Sequence, residues 1–134
     1  MKAADTSLVV AAFASWHENH QSARRALDSG LRLIEHCALE TYSVLTRLPA
    51  PHRTSSAVVR EFLGTRFPEP FLRLSARAYK DFILGLPDHD VTGGAAYDAL
   101  VAATAAICGV GLVTCDRRAL AIYERYGVRF QILP

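Results

Sequence analysis

The stretch YDALVAATAAICGVGLVTCD, residues 97–116, reads in succession as helix, glycine turn, strand and acid. Gly93-Gly94 opens an alanine-rich helix that runs to Ile107 and Cys108, alanine being the strongest helix former. Gly109 and Gly111 stop it, and Leu112-Val113-Thr114 has the short apolar, β-branched character of a buried strand. Beyond Asp116, residues 117–125 return to helical spacing, Gly127 marks a turn, and Val128 to Ile132 is a final strand. Helix-strand-helix-strand with short connections is the grammar of parallel βαβ units.

The same alternation extends toward the N-terminus. Residues 2–5 read as a strand, then Thr6 and Ser7 as capping types ahead of Leu8-Val9-Val10-Ala11-Ala12-Phe13. Residues 18–28 form a helix with Ala23, Ala26 and Leu27 on one face, closed by Ser29-Gly30. Leu31 to Ile34 is a strand, and residues 38–47 a helix stopped by Leu48-Pro49-Ala50-Pro51. Ser55 or Ser56 caps a helix carrying Val58, Val59 and Phe62; Phe71 to Leu74 reads as a strand and Ala76 to Leu84 as a helix. The expected fold is α/β, in three α/β/α layers, with a central, mainly parallel sheet of about four to five strands. Crossover handedness is expected to be right-handed, while strand order is not readable from periodicity.

At 134 residues the chain is expected to form a single domain, residues 1–134, large enough to bury a core without disulfides or structural metal. A hydrophobic fraction of 51% with 21% charged residues is globular, and no apolar run is long enough for a membrane span. Asp5 stands where a signal peptide would build its apolar core, so a soluble cytoplasmic chain is expected. Cys37, Cys108 and Cys115 are odd in number and make no C-x-x-C pair, which points to small buried hydrophobes and away from a disulfide framework or zinc. The net charge of +2 excludes little, but 13 of the 15 basic residues are arginine, whose planar fork suits phosphate.

Ligands of open parallel sheets bind at the carboxyl ends of the strands, and two of the 13 acidic residues fall there: Asp5 after the first strand and Asp116 after Leu112-Val113-Thr114. Glu40, in the first turn of its helix among Ala38, Leu39 and Tyr42, and Asp98, at the start of an apolar helix, can address the same edge. Each has an ordinary explanation, as a cap, a dipole partner or a solvated helix residue. Capping alone does not explain acids at two strand ends and two apolar helix starts together. Four converging carboxylates without nearby lysine repel one another, and a divalent cation relieves that; oxygen donors favour Mg2+ or Mn2+ over Zn2+.

These segments resemble a known family. Asp5-Thr6-Ser7 resembles the opening motif of PIN domains, and residues 38–49, ALETYSVLTRLP, are similar to the second-acid segment of VapC-type toxins. Tyr97 to Ala105 is similar to their third-acid helix, and Leu112 to Ala119, with Thr114-Cys115-Asp116, to their T-x-D segment. The likeness spans the chain in order; the alanine-rich first strand departs from the family's usual valine and isoleucine. The resemblance implies a PIN-like fold and a metal-dependent endoribonuclease, the toxin of a toxin–antitoxin pair. In it Asp5, Glu40, Asp98 and Asp116 would hold one or two Mg2+ or Mn2+ ions, and cleavage would leave a 5′-phosphate and a 3′-hydroxyl. Thr6 and Thr114 would orient carboxylates or water.

RNA held beside an acidic pocket needs cations, for which Arg47, Arg53, Arg117 and Arg118, with His52, are the candidates. Trp16 and Tyr42 offer rings for base stacking, although core or dimer packing explains them more simply, and His17, His20, His36 and His89 have no metal-ligand spacing. The family further implies a small VapB-like antitoxin, entering a groove around residues 38–63 with Leu45, Leu48, Val59, Phe62 and Leu63 along it. It also implies a homodimer through helices near residues 71–104. A haloacid dehalogenase needs an aspartate where Ser7 stands, and a receiver domain needs a late lysine that neither Lys2 nor Lys80 supplies. The alternative from another class is a catalytically inactive PIN-like module that binds RNA or protein without cutting.

Overall fold

The structure, a computed structural model, describes residues 1–134. In chain order it comprises β1 (Lys2–Ala4), α1 (Thr6–Phe13), α2 (His20–Asp28), β2 (Arg32–Leu33), α3 (Glu35–Arg47) and α4 (Ser56–Arg66). There follow α5 (Ala76–Gly85), a 3-10 turn at Leu86–His89, α6 (Ala95–Cys108), β3 (Gly111–Thr114), a second 3-10 turn at Arg117–Ala119, α7 (Leu120–Arg125) and β4 (Phe130–Ile132). The four strands form one sheet in the order β2-β1-β3-β4, every pair parallel. Register is fixed by Ala4 opposite both Leu33 and Val113, and by Leu112 opposite Phe130.

That order reverses direction at β1. The chain steps from β1 one way to β2, then returns past β1 to β3 and continues to β4. With right-handed crossovers, connections running in opposite directions lie on opposite faces, which gives the three α/β/α layers expected of the sequence. The pairs α1–α2 and α6–α7 are each packed together, as that arrangement requires. The reversal also opens a crevice between the carboxyl ends of β1 and β3, where parallel sheets place their ligands.

The core of 23 buried residues runs from Ala3 and Ala4, through Leu8 and Val9 of α1 and Leu33 and Ile34, to Val101, Ala102 and Ala105 of α6 and Leu112 and Val113. Alanine suffices in β1 because the strand is central and fully covered, with no exposed surface on Ala3 or Ala4. A smaller cluster of Leu74, Phe82, Val91, Ala99, Ala103 and Ile122 joins α5 to α6 and α7.

Three sequence expectations need correction. The segment 71–74 is no strand: Leu72 alone bridges to Ile34, its N–H on Leu33 O (2.9 Å) and its carbonyl accepting from Glu35 N (2.8 Å). Pro70 before it and Ser75, which already caps α5, leave no room for a ladder. Helix α3 begins at Glu35 directly off Ile34, whose carbonyl accepts from Ala38 N (3.0 Å), so Glu40 falls in the second turn and not the first. Of the cysteines only Cys37 is buried; Cys108 and Cys115 are half-buried, and all three are free.

Candidate active site

Asp5 leaves β1 with extended backbone and caps α1: its Oδ1 accepts from Leu8 N (3.1 Å). The capping role and the site role are thus one geometry, because the cap fixes the carboxylate at the mouth of the crevice. Ser7 Oγ donates to the same Oδ1 (2.6 Å), and Tyr123 Oη, reaching over from α7, donates to Oδ2 (2.8 Å). Only 4% of Asp5 is exposed. Burial raises its pKa above the ordinary carboxylate value, against the opposing pull of these donors and of Thr114. Burial, followed by the charge of Asp5, pushes the Tyr123 phenol up in turn, so Tyr123 stays a donor.

Asp116 mirrors Asp5 at the end of β3. It caps the Arg117–Ala119 turn, Oδ1 accepting from Arg118 N (2.9 Å) and, more loosely, from Arg118 Nε (3.4 Å). A short polar chain joins the two acids across the crevice. Ser7 Oγ lies 3.2 Å from Thr114 Oγ1 and accepts from Cys115 N (2.9 Å), while Thr114 Oγ1 accepts from Asp116 N (3.0 Å). Thr114 therefore bears on both carboxylates. Thr6 does not: its Oγ1 is buried without a hydrogen-bond partner, and Ser7 takes the place expected of it.

Asp98 stands in the first turn of α6 and Glu40 in α3, both half-buried. The pKa of Asp98 is raised first by burial and then by the negative charges of Asp116, Glu40 and Asp5, with Arg118 working the other way. All four acids thus share one electrostatic neighbourhood, and its charge is not balanced within the chain. They do not close on a point: no three His, Cys, Asp or Glu side chains are grouped tightly enough to hold an ion. The expected closure of the carboxylates to ligand distance is not seen in this arrangement. An all-oxygen donor set with excess negative charge still fits a hydrated Mg2+ or Mn2+, which keeps several waters.

The cationic candidates divide. Arg118 is at the site, its side chain 94% exposed; Arg117 and Arg47 are exposed without ion pairs, and Arg53 donates from Nε to Leu48 O (2.9 Å). Trp16 and Tyr42 are not core residues but surface rings. Sequence reasoning missed Ser7 as a link between acids and missed Tyr123 altogether. A hydroxyl two residues after Asp5 was a usable signal for the first; nothing local marks the second, 118 residues from its partner. Burial, then the charge of Asp5, also pushes the Cys115 thiol up to about 11, and burial raises that of Cys37 as well, so neither is a nucleophile here.

Residues 3–125 match the PIN domain family. The chain is 50% identical over 133 residues to ribonuclease VapC40 of Mycobacterium tuberculosis, covering 99% of both chains. It is 39% identical over 132 residues to ribonuclease VapC27 of the same organism, covering 94% of this chain and 92% of that one. In fold it is similar to the crystal structure of FitAcB from Neisseria gonorrhoeae, with a TM-score of 0.69 at 18% identity over 97% of this chain and 96% of that one. Family match, full-length identity and sheet order agree: this chain belongs to the PIN domain family and, within it, to the VapC type.

Proposed function

We propose that the chain is an endoribonuclease that cuts RNA phosphodiesters with the help of Mg2+ or Mn2+ and acts as the toxin of a toxin–antitoxin pair. The observation that carries the reading is geometric: Asp5 and Asp116 end the adjacent strands β1 and β3 at the topological switch point and are joined across it through Ser7 and Thr114. Its support from outside is the full-length identity to proteins named ribonucleases. Asp5, Glu40, Asp98 and Asp116 would hold the cation, which supplies an acidified water and shields charge on the phosphoryl oxygens.

The remaining work falls to this chain's own groups. Ser7, Leu8 N–H and Tyr123 lock the Asp5 carboxylate in one rotamer. Thr114 orients the backbone that carries Asp116. Arg118 meets an incoming phosphate at the rim, with Arg117, Arg47 and Arg53 exposed further out. The decisive assay is cleavage of a mixed RNA pool with Mg2+, Mn2+ or chelator, beside Asp5→Asn and Asp98→Asn. Wild-type cleavage that needs the metal and both acids supports the reading; cleavage unchanged in either variant overturns it. RNA retention without cleavage in the same assay would establish instead a module that binds RNA without cutting.

The same reading makes the chain a single cytoplasmic domain with two protein partners, a small VapB-like antitoxin and a second copy of itself. The groove between α3 and α4 suits the antitoxin, but its lining differs from the expected one. Leu45 and Val59 are fully buried and Leu48, Phe62 and Leu63 only partly exposed. A cavity of about 460 Å3 there is lined by Tyr42, Ala57, Arg60, Leu63 and Phe71.

A further inference from the structure

The connection between α1 and α2 lies beside Asp116 and takes no part in the acid network described above. It is not a slack loop. His17 N donates to Ala14 O (3.0 Å), His20 N to His17 O (3.0 Å) and His20 Nδ1 to Ala11 O (2.9 Å), and the Asn19 amide bonds the Pro134 carbonyl. Asn19 N donates to His17 Nδ1 (3.0 Å), which leaves Nε2 as that ring's proton carrier and free donor. His17, Glu18 and Asn19 line a cavity of about 330 Å3 whose other walls include Ser7, Asp116 and Arg118. The walls are mostly polar, with cationic, anionic and neutral hydrogen-bonding groups on one rim.

The same connection carries the chain's sole tryptophan. Trp16 is 51% exposed, adjoins His17 with ring centroids 6.2 Å apart, and is backed by His52 at 4.4 Å and a 36° tilt. His52, itself exposed, comes from the α3–α4 connection, next to Arg53. A half-exposed indole propped by an imidazole leaves aromatic surface open beside a polar, base-sized recess. That recess shares a wall with an acid of the proposed catalytic site.

We propose that this connection is a binding track for single-stranded RNA flanking the scissile bond, one base entering the His17–Glu18–Arg118 recess and a neighbouring base stacking on Trp16 and His52. It rests on the ribonuclease reading and adds to it where sequence preference arises. Stacking rings with adjacent cations suit unpaired nucleotides, whose π-faces and edges are open, whereas duplex RNA hides both. The polar recess and its continuity with Asp116 favour RNA over a protein partner, which would seek an apolar rim.

Trp16 supplies its own reporter. In the full-length Asp98→Asn protein, short single-stranded homopolymers of A, C, G and U should quench tryptophan fluorescence saturably, and duplex RNA of equal length should not. His52→Ala should weaken that binding about tenfold, the scale of one lost stacking contact, and His17→Ala, which removes the Nε2 donor of the recess, should weaken it as well. Glu18→Gln should reorder the preference among the four homopolymers. In otherwise wild-type protein, Trp16→Ala should carry its loss in KM, with Trp16→Phe recovering much of it and circular dichroism unchanged. RNA cut normally while Trp16 stays silent, or equal quenching by single and double strands, overturns the track and leaves the nuclease standing. Quenching by a mixed pool of single strands, none of which the wild-type protein cuts with Mg2+ or Mn2+, overturns the nuclease and keeps the track. Normal RNA binding by Trp16→Ala, with loss of binding to the co-encoded small protein, would reassign the surface to a protein partner.

Discussion

At the scale of single residues, the site depends on keeping charge where burial opposes it. Tyr123 is the only side-chain donor to Asp5 Oδ2, and its hydroxyl has no other acceptor to serve. Tyr123→Phe should therefore cost about 2 kcal/mol in urea denaturation, the range of a hydrogen bond to a charged group, and lower cleavage with it. A loss too small to measure would mean that Asp5 is protonated in the free protein. Asp98 offers a test with a definite sign. Its folded-state pKa is raised from the ordinary 3.8, so the folded chain binds that proton more tightly than the unfolded one. Its contribution is then most favourable in acid, declines as pH rises from 3.8 through the raised value, and is flat beyond. Asp98→Asn removes this term. Without metal, its melting temperature should match wild type below pH 3.8, exceed it as pH rises through the raised value, and keep a constant margin above it. The gain should be roughly 0.5 kcal/mol for a half-exposed, solvent-screened group. Added Mg2+ should reverse the order at neutral pH, because ligand stabilises only what binds it. A gap that ignores both pH and Mg2+ would place Asp98 outside the acidic field.

At the scale of elements, two strand ends present the acids and one serine ties them. Ser7→Ala should leave α1 capped, since Leu8 N still reaches Asp5, but cut the link to Thr114 and Cys115 N. Loss of such an orienting group lowers activity by about 10- to 100-fold, and Ser7→Thr should restore part of it. Steady-state kinetics with kcat unmoved in Ser7→Ala would count against the linkage. Elements of this kind were largely legible beforehand. Asp5 and Asp116 announce themselves because capping chemistry and strand ends are local properties. Periodicity found every helix and all four strands, and it erred where a tertiary choice decides. Phe71 to Leu74 has strand composition but is pinned between Pro70 and the Ser75 cap, and α3 starts early because Ile34 feeds straight into it. The groove residues failed for a related reason. Helical spacing shows that Leu45 and Val59 share a face with their neighbours but not which face the sheet covers, and both are fully buried. Tyr123 and the strand order that places β1 beside β3 are long-range facts with no local trace.

At the scale of the molecule, apolar surface remains where the proposed partners would bind. Ile83 and Leu84 of α5 and Ile107 of α6 are exposed, Leu84 by 67%, and Phe82, Ala103 and Tyr126 help line an apolar cavity of about 310 Å3 between those helices. Exposed apolar side chains beside an apolar cavity suit an interface. If a second copy covers it, Leu84→Glu should convert a dimer to a monomer in light scattering, and a wild-type monomer at micromolar concentration would end the dimer proposal. The α3–α4 groove lies elsewhere on the chain, so the two partners can bind together. Its lining joins apolar Ala57, Leu63 and Phe71 to Arg60 and Tyr42, which suits an amphipathic segment with an acidic flank. If a small antitoxin is encoded beside this chain, co-expression with it should yield a complex on size exclusion and suppress ribonuclease activity. Leu63→Glu, at a partly exposed groove position, sets a like charge against that acidic flank and should release the activity about tenfold or more, with RNA cleavage by the free enzyme still present to report it. Full suppression of Leu63→Glu would move the antitoxin off this groove. A neighbour that neither binds nor inhibits would leave a PIN-type ribonuclease without the toxin role.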